Sequence, residues 1–535
     1  MTSSTQIRCP RTQNAKKIRQ FLAGPQQQLA DLANELARLD ALWQELSDKQ
    51  QRLEQFVDAH LALVSPVRRL PEDVMRAIFT ASLSSTRNPA ISADEAPLLL
   101  CRICKSWRSI ALSTPRLWAA IHIVVPDPLR LQRLANWLVI WFERSGVVPL
   151  HISMVFSRTS ESSLRDISPI LSALTAVARR WRDIELPLPG HLLAGSRLLS
   201  LSPDEVPLLE KVNISQYDES TMAGSAFLAT ESLRSLTIPA TLDCRGIPVS
   251  WRYLRHLNIT QGASWGSRFT CPVALAVLRQ CTALQTCEFG LTDIAGENDL
   301  IPTEEFSLPQ LRHLSITRHD PMHRSHLFGA VTLPNLESLH YEVRNNDQSA
   351  QPELPRLLPS TPSLQSFTIQ APGLGSESLL EVLSHLPTLK NLAILAEPCK
   401  NTDLPFDWSH SPMEEKFLDR LSLGSATVIC PLLESIQLQN FHAASDETLF
   451  QFIRSRTRPP QAENVVGCRL SRVAATFRRG MQWDIIPHLQ DAVAGGLVVS
   501  LKYASRRTKI YSPLEGTNDF NNYWNWDPDN WDQHW

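Results

Sequence analysis

The sequence predicts an α/β repeat protein: a long N-terminal helix, a small all-α module, then an extended array of strand–helix repeats. Three observations predict it. A 3,4 spacing of apolar residues runs from Leu32 to Val64. Two helical patterns punctuated by proline follow between Pro66 and Val125. A six-residue apolar pattern then returns nine times between Leu209 and Leu438. At 535 residues the chain is too long for one ordinary core, so several domains or a repeat array are expected.

Composition excludes some function classes first. With a net charge of −2, the chain offers no electrostatic reason to bind nucleic acid or a membrane surface. Ten cysteines are scattered without the spacing of a disulfide framework, and Cys101, Cys104 and Cys287 sit in apolar patterns. Reduced thiols in the cytoplasm and/or the nucleus are the expectation. No segment approaches the roughly 18 apolar residues of a membrane span. The best run, Leu134 to Phe142, is short and holds Asn136. The N-terminus is basic and free of acids up to Asp31, a pattern shared by mitochondrial transit peptides and flexible basic tails. Residues 1–30 are read as such a tail.

Residues 31–65 form the heptad helix. Its seam is Leu32, Leu36, Leu39, Trp43, Leu46, Gln50, Leu53, Val57, His60 and Val64, and neither Gly nor Pro interrupts it before Pro66. The stripe pairs with a second copy as a homodimer or folds back on its own domain. Gln50 and His60 interrupt it, which favours the fold-back.

Pro66 ends that helix, and Pro71 is placed for the first turn of the next, with Glu72 and Asp73 favourable at its N-terminus. Val74, Ile78 and Leu83 form an apolar stripe alongside Phe79. A polar loop with Asn88-Pro89 leads to a second helical pattern, in which Leu99, Ile103, Trp107 and Ile110 share one face. Thr114-Pro115 closes it, and Leu117-Trp118 precedes a strand from Ile121 to Val125. "LPEDVMRAIF", "CRICKSWRSIA" and "PRLW" together resemble an F-box, the helical module that docks onto the Skp adaptor of cullin-RING ubiquitin ligases. The wording is especially similar to F-box proteins abundant in mushroom-forming fungi, although the loop from Ser82 to Glu95 is longer than that motif usually has. The F-box part of the resemblance covers residues 66–125 and is its most specific part, and the resemblance extends through the repeats over most of the chain. It implies that Leu70, Pro71, Val74, Ile78, Ile103 and Cys104 face the adaptor, with Phe79, Trp107, Leu117 and Trp118 as structural anchors.

The recurring pattern is Leu-x-x-Leu-x-Ile or a close variant. It runs through "LEKVNI" (209–214), "LRSLTI" (233–238), "LRHLNI" (254–259), "LQTCEF" (284–289), "LRHLSI" (311–316), "LESLHY" (336–341), "LQSFTI" (364–369), "LKNLAI" (389–394) and "LESIQL" (433–438). Successive starts lie 24, 21, 30, 27, 25, 28, 25 and 44 residues apart, and "WRDIEL" (181–186) reads as a degenerate first copy. Alternation makes each copy a short strand, and segments such as "CPVALAVLRQ" and "ESLLEVLSHLP" read as helices behind them. This is the signature of a leucine-rich-repeat solenoid, here assigned to residues 126–505. The long last interval holds "LDRLSL" (418–423), an extra strand by pattern. Between the buried positions, Lys211, Asn213, Ser235, Thr237, His256, Asn258, Ser315, His340 and Thr368 project outward as the candidate substrate-facing set.

Catalytic signals are weak. "GASWG" (262–266) has the spacing of a hydrolase nucleophile elbow but lacks an immediately following helix. "CRIC" (101–104) has no second pair at metal spacing, and "HDPMHRSH" (319–326) reads as a polar loop. No catalytic residue, metal or cofactor is assigned. The tail 506–535, polar with interspersed Trp, is disordered or caps the array. The resemblance implies a non-catalytic substrate receptor of an SCF-type ligase, joined through a Skp adaptor to the cullin-RING machinery and binding a substrate protein through its repeats. The alternative is a repeat scaffold that acts independently of a ligase.

Overall fold

The computed structural model describes residues 12–64, 66–125, 130–156, 167–187, 190–193, 196–214, 223–241, 244–260, 269–292, 305–318, 327–344, 354, 361–371, 374–395, 415–423, 429–441, 445–457, 469–477 and 479–503. The chain is an α/β protein with a long N-terminal helix and a large parallel sheet. It divides into two compact units, Met1–Ser82 and Leu83–Trp535. The division falls inside the module expected at 66–125, and the polar loop explains why. His122 N–H donates to Pro89 O at 2.7 Å, Ala90 bridges to His122, and Asn88 Nδ2 donates to Ser153 Oγ at 3.1 Å. These bonds tie the loop to the start of the sheet.

In the first unit, α1 (Thr12–Val64) is one continuous helix. Residues 12–30, expected as a flexible tail, are therefore helical. Pro25 lies within α1, where a proline removes one backbone donor and costs about 3 kcal/mol. The following Gln, Leu and Ala residues are good helix formers, and Gln27 Nε2 donates to Asp31 Oδ1 at 3.0 Å. The heptad seam faces solvent: Leu32 is 63 % and Trp43 69 % exposed. Within this unit the described side chains of the seam are exposed and have no apolar cover.

The second helix of this unit, α2 (Glu72–Ala81), begins just after Pro71, which occupies the N-cap position with φ −56° and ψ 152° rather than the first turn. Glu72 and Asp73 complement the helix dipole, and Arg76 Nη2 donates to Glu72 Oε1 at 2.6 Å. Met75 and Phe79 are buried while Val74 and Ile78 are exposed, so Phe79 does not belong to the outward stripe.

In the second unit, the single helix expected across 96–112 is two: α3 (Leu100–Ile103) and α4 (Lys105–Leu112). Cys104 separates them in extended conformation (φ −157°, ψ 170°) and caps α4, its Sγ accepting the Trp107 N–H at 3.5 Å. The break resets the helical phase, so Leu99 and Ile103 are exposed while Ile110 is buried. Pro115–Trp118 forms a 3₁₀ turn that buries Leu117 and Trp118 completely. Trp118 Nε1 donates to Ala111 O at 2.9 Å, and its ring meets the edge of Trp141 at 4.8 Å. Trp141 belongs to α5 (Leu131–Arg144), the apolar run of the sequence, whose inner face also buries Leu131, Ala135, Leu138 and Phe142.

Fourteen strands then hydrogen-bond as one parallel sheet in chain order. They are β1 (Ala120–Val125), β2 (Leu150–Phe156), β3 (Trp181–Glu185), β4 (Lys211–Asn213), β5 (Ser235–Pro239), β6 (His256–Thr260) and β7 (Thr286–Leu291). The second half is β8 (His313–Arg318), β9 (Ser338–Val343), β10 (Ser366–Gln370), β11 (Asn391–Ile394), β12 (Ser435–Phe441), β13 (Arg472–Phe477) and β14 (Val498–Tyr503). The degenerate copy at Trp181 is β3, and all nine repeats contribute a strand. Their fourth residues stand opposite one another, as Val212, Leu236, Leu257, Cys287, Leu314 and Leu339 do, and form a buried row. The leading residues, from Leu209 to Leu433, are buried beside it.

Behind the strands, α6 (Ser168–Thr175), α7 (Cys271–Leu278) and α8 (Ser376–Ser384) are helical, the last two as expected. Among the described residues other connections carry 3₁₀ turns, as at Ala226–Ala229 and Trp251–Tyr253. "LDRLSL" is not a strand. Its first half lies in α9 (Glu415–Leu421), because Phe417, Leu418 and Leu421 form a buried face at helical spacing, and β11 pairs directly with β12. The turn before β12 places Cys430 at φ +49°, a left-handed conformation unfavourable for a residue with a Cβ. Arg456, buried on α10 (Asp446–Thr457), holds that turn by donating to Leu421 O, Cys430 O and Ile429 O at 2.7, 3.0 and 2.8 Å. At the start of α10, Asp446 accepts from Arg479 Nη2 (2.6 Å), Gln482 N (2.8 Å), Trp483 N (2.9 Å) and Tyr503 Oη (3.0 Å). Burial pushes the Asp446 carboxyl up, but these four donors outweigh it and hold the group below its ordinary value.

Two outcomes follow for stability. Arg456→Ala removes three buried charge-assisted hydrogen bonds and should lower the urea-unfolding free energy by about 3 kcal/mol or more, whereas the exposed Arg454→Ala should change it little. Asp446→Asn should be less stable than wild type at neutral pH. Because the folded carboxyl titrates below its unfolded value near 3.9, its contribution is full above about pH 5 and fades as the pH falls through the folded value. The gap between the two proteins, measured by thermal unfolding across pH 3–7, should therefore close on acidification.

Candidate docking and recognition surfaces

Two kinds of surface stand out, and each is built by the local logic of its own unit. On the first unit, Leu70, Val74 and Ile78 follow one another at four-residue intervals, 37 %, 39 % and 45 % exposed. Four-residue spacing stacks Val74 and Ile78 on one face of α2, exposed while Met75 and Phe79 are buried, and Leu70 lies just before the Pro71 N-cap, outside the helix. Pro71, also exposed, sets the entry of the chain into this helix. On the second unit, Ile103 is 53 % exposed at the end of α3. Cys104 is only half-buried, but its sulfur is engaged by the Trp107 N–H.

The anchors differ from one another. Phe79, Leu117 and Trp118 are fully buried. Trp107 is half-buried, because the break at Cys104 turns it away from the position that an unbroken helix would give it.

On the sheet, strand register aligns all nine candidate recognition residues into two cross-strand rows. Lys211, Ser235 and His256 lie in one, which continues through Thr286, His313 and Ser338. Asn213, Thr237, Asn258, Ser315, His340 and Thr368 lie in the other, with Glu288 between Asn258 and Ser315. Thr286, Glu288 and His313 were missed as candidates. The same alternation that marked their neighbours marks them too, since they hold equivalent positions in "LQTCEF" and "LRHLSI".

The rows are cross-linked. His256 Nδ1 lies 2.7 Å from Thr286 Oγ1, Asn258 Nδ2 donates to Glu288 Oε2 at 3.0 Å, and Asn213 Nδ2 donates to Glu185 Oε1 at 3.1 Å. Lys211 Nζ reaches Asp183 Oδ2 at 3.3 Å. Burial raises the Asp183 carboxyl, but His151 and Lys211 prevail and keep it below its usual range. Burial, aided by the charge of Arg255, lowers the His256 imidazole and favours its neutral form. Between β5 and β9 the rows bound a groove of about 380 Å³, whose lining includes Asn258, Glu288, His313, Ser315 and His340. Such a lining supplies alternating donors and acceptors over several strands. It suits an extended polar segment better than an apolar ligand.

"GASWG", "HDPMHRSH" and the Trp-rich tail lie outside the described residues. Among those described, no group of three His, Cys, Asp or Glu side chains is placed to hold a metal ion, and no helix is long and apolar enough to cross a membrane. No protein-family model matches the chain, and no curated protein matches it.

The contrast between the two tryptophans is measurable. Trp118→Ala should lower thermal stability by about 3–5 kcal/mol, since it removes a fully buried ring and its hydrogen bond. Trp107→Ala should cost clearly less. Equal losses in calorimetric unfolding would contradict the burial difference.

Proposed function

We propose that this chain is the substrate-recognition subunit of an SCF-type cullin-RING ubiquitin ligase, an F-box protein whose sheet is the strand face of a leucine-rich-repeat solenoid. The observation that carries the reading is the row Leu70, Val74 and Ile78. These are residues that the F-box resemblance assigns to the Skp adaptor, and they are exposed apolar side chains, Val74 and Ile78 on a helix whose Met75 and Phe79 are buried and Leu70 just before its N-cap. Ile103, assigned by the same resemblance, is likewise exposed. The solenoid reading is supported by parallel strands in chain order, with the nine leucine-led copies at matching register.

On this reading the chain makes and breaks no covalent bond. The adaptor covers the apolar row, each aliphatic side chain contributing roughly 1.5–3 kcal/mol of gross transfer energy, much of it offset by the cost of association. The polar rows of the sheet hold a segment of a substrate protein. The ligase then acts on a lysine kept close by, so the receptor accelerates transfer through proximity.

Two measurements test this. Val74→Asp with Ile78→Asp should abolish capture of a purified Skp adaptor while leaving the far-ultraviolet circular dichroism unchanged, because both positions are exposed. Retained capture by the folded variant, or no capture by wild type, would leave only a ligase-independent scaffold. Asn258→Ala with His340→Ala should keep adaptor capture but reduce the set of proteins that accumulate on the receptor when the proteasome is inhibited.

A further inference from the structure

We infer that α1 joins two copies of this chain as a parallel, in-register two-stranded coiled coil. The helix carries two interleaved lines of apolar residues, each repeating every seven positions. One line is Leu32, Leu39, Leu46 and Leu53, with Pro25 and His60 at its two ends. The other is Leu22, Leu29, Leu36, Trp43 and Val57, with Gln50 as its polar member. A seven-residue repeat held over this length is the pattern of helices that wind around each other, with leucine in the d line and one polar residue in the a line. Every apolar member of both lines is exposed, from Leu22 at 41 % to Trp43 at 69 %. The surface of α1 also has a hollow between Leu46, Gln50, Leu53 and Val57, the kind of hole that a facing side chain fills.

The size is adequate. At on the order of 100 Å² for each covered aliphatic side chain, the two lines would bury roughly 800–900 Å² per helix, which meets the usual area per partner in a stable complex.

Three features identify the occupant as a second copy in parallel register. In that arrangement Gln50 meets Gln50 across the seam, where each amide has a partner, whereas any shifted register sets it against an apolar side chain. Lys49 flanks the first helix opposite Glu54 of the second, and two-fold symmetry makes this pair twice. Leu42 and Phe56 occupy the same flank as Lys49 and widen the apolar contact. Glu35 and Asp40 form the one like-charged flanking pair, and Glu35 already lies 3.6 Å from Arg38 of its own helix. Gln50 Nε2 donates to Glu54 within the helix at 2.8 Å, and its second amide hydrogen is available to the copy. If the chain is the receptor proposed above, the dimer doubles both the adaptor row and the polar rows in one particle, so that a substrate with two degrons is held by avidity.

The test uses the full chain. Sedimentation equilibrium at tens of micromolar should give twice the chain mass, and Leu39→Glu with Leu46→Glu should give the monomer mass without changing thermal unfolding of the rest of the protein. A monomeric wild type, a trimer, or a dimeric double variant would overturn the inference. Lys49→Glu should weaken the dimer about tenfold, and adding Glu54→Lys should restore it. These positions lie on the exposed flank of α1, so folding is not in question. Failure of the second change to restore the affinity would reject the parallel register.

Discussion

The sheet depends on one recurring hydrogen-bond arrangement. The residue after the leading leucine of each repeat offers a single carbonyl that accepts two N–H groups from the repeat that follows. Glu210 O takes Arg234 N and Ser235 N at 2.8 and 2.9 Å, Arg255 O takes Gln285 N and Thr286 N at 2.8 and 3.0 Å, and Glu337 O takes Gln365 N and Ser366 N, both at 2.9 Å. A carbonyl has two lone pairs, and using both fixes the next strand in position along its length as well as beside its neighbour. Strand pairing has a side-chain period of two, so a one-residue slip would send every buried leucine to the open face. The double acceptor and the apolar row therefore enforce the same register. The polar rows are a by-product of that agreement: His256 stands beside Thr286, and Asn258 beside Glu288, because the buried residues between them are locked.

Where the repeat spacing stretches, the device persists, Lys390 O taking Glu434 N and Ser435 N at 2.8 and 2.9 Å, and other chemistry is added to it. The long interval before β12 leaves a turn whose carbonyls have no strand partner, and a left-handed Cys430 within it. With one buried guanidinium Arg456 donates to Ile429 O and Cys430 O of that turn and to Leu421 O at the end of α9, and desolvation pulls its own pKa down to about 10. Asp446 does the equivalent work for the chain beyond β13, gathering four donors from residues 479, 482, 483 and 503. A buried ion in such a place is costly to desolvate and still more costly to leave unpaired. Both side chains come from α10, the helix that follows the irregular segment.

Two apolar surfaces remain uncovered, and they differ in form. The row of Leu70, Val74 and Ile78 is three residues long and runs from just before α2 onto a helix already anchored by Met75 and Phe79, so it is a feature added to a packed element. The seam of α1 runs along a 53-residue helix and is exposed where its side chains are described. Most helical stability in proteins comes from packing an apolar face. The short row fits a transient docking partner, and the long seam a permanent one.

Much of this fold was legible in the sequence, for identifiable reasons. The nine repeats could be read because Leu-x-x-Leu-x-Ile combines the two-residue period of a strand with a leading leucine, and both are local properties. The outward positions followed from the same alternation, which is why all nine residues from Lys211 to Thr368 lie in two rows. Where the local signal was diluted, the strand went unread. In β13 the pattern is Leu470-x-x-Val473-x-Ala475, and β2 alternates Leu150, Ile152 and Met154 without the leading leucine pair. Where two periods competed, packing decided. Phe417, Leu418 and Leu421 satisfy a helical face, and only the helix buries all three. The break at Cys104 was equally hidden, since Leu99, Ile103, Trp107 and Ile110 keep perfect helical spacing, and no proline or glycine marks the point where the chain extends. Periodicity states which residues share a face of an element; whether that face meets protein or water is set by what the rest of the chain brings against it. For this reason the sequence by itself determined the nine repeat strands, their outward residues and the heptads, while only the tertiary structure decided that Phe79 is buried and that Val74, Ile78 and the described heptad positions are exposed.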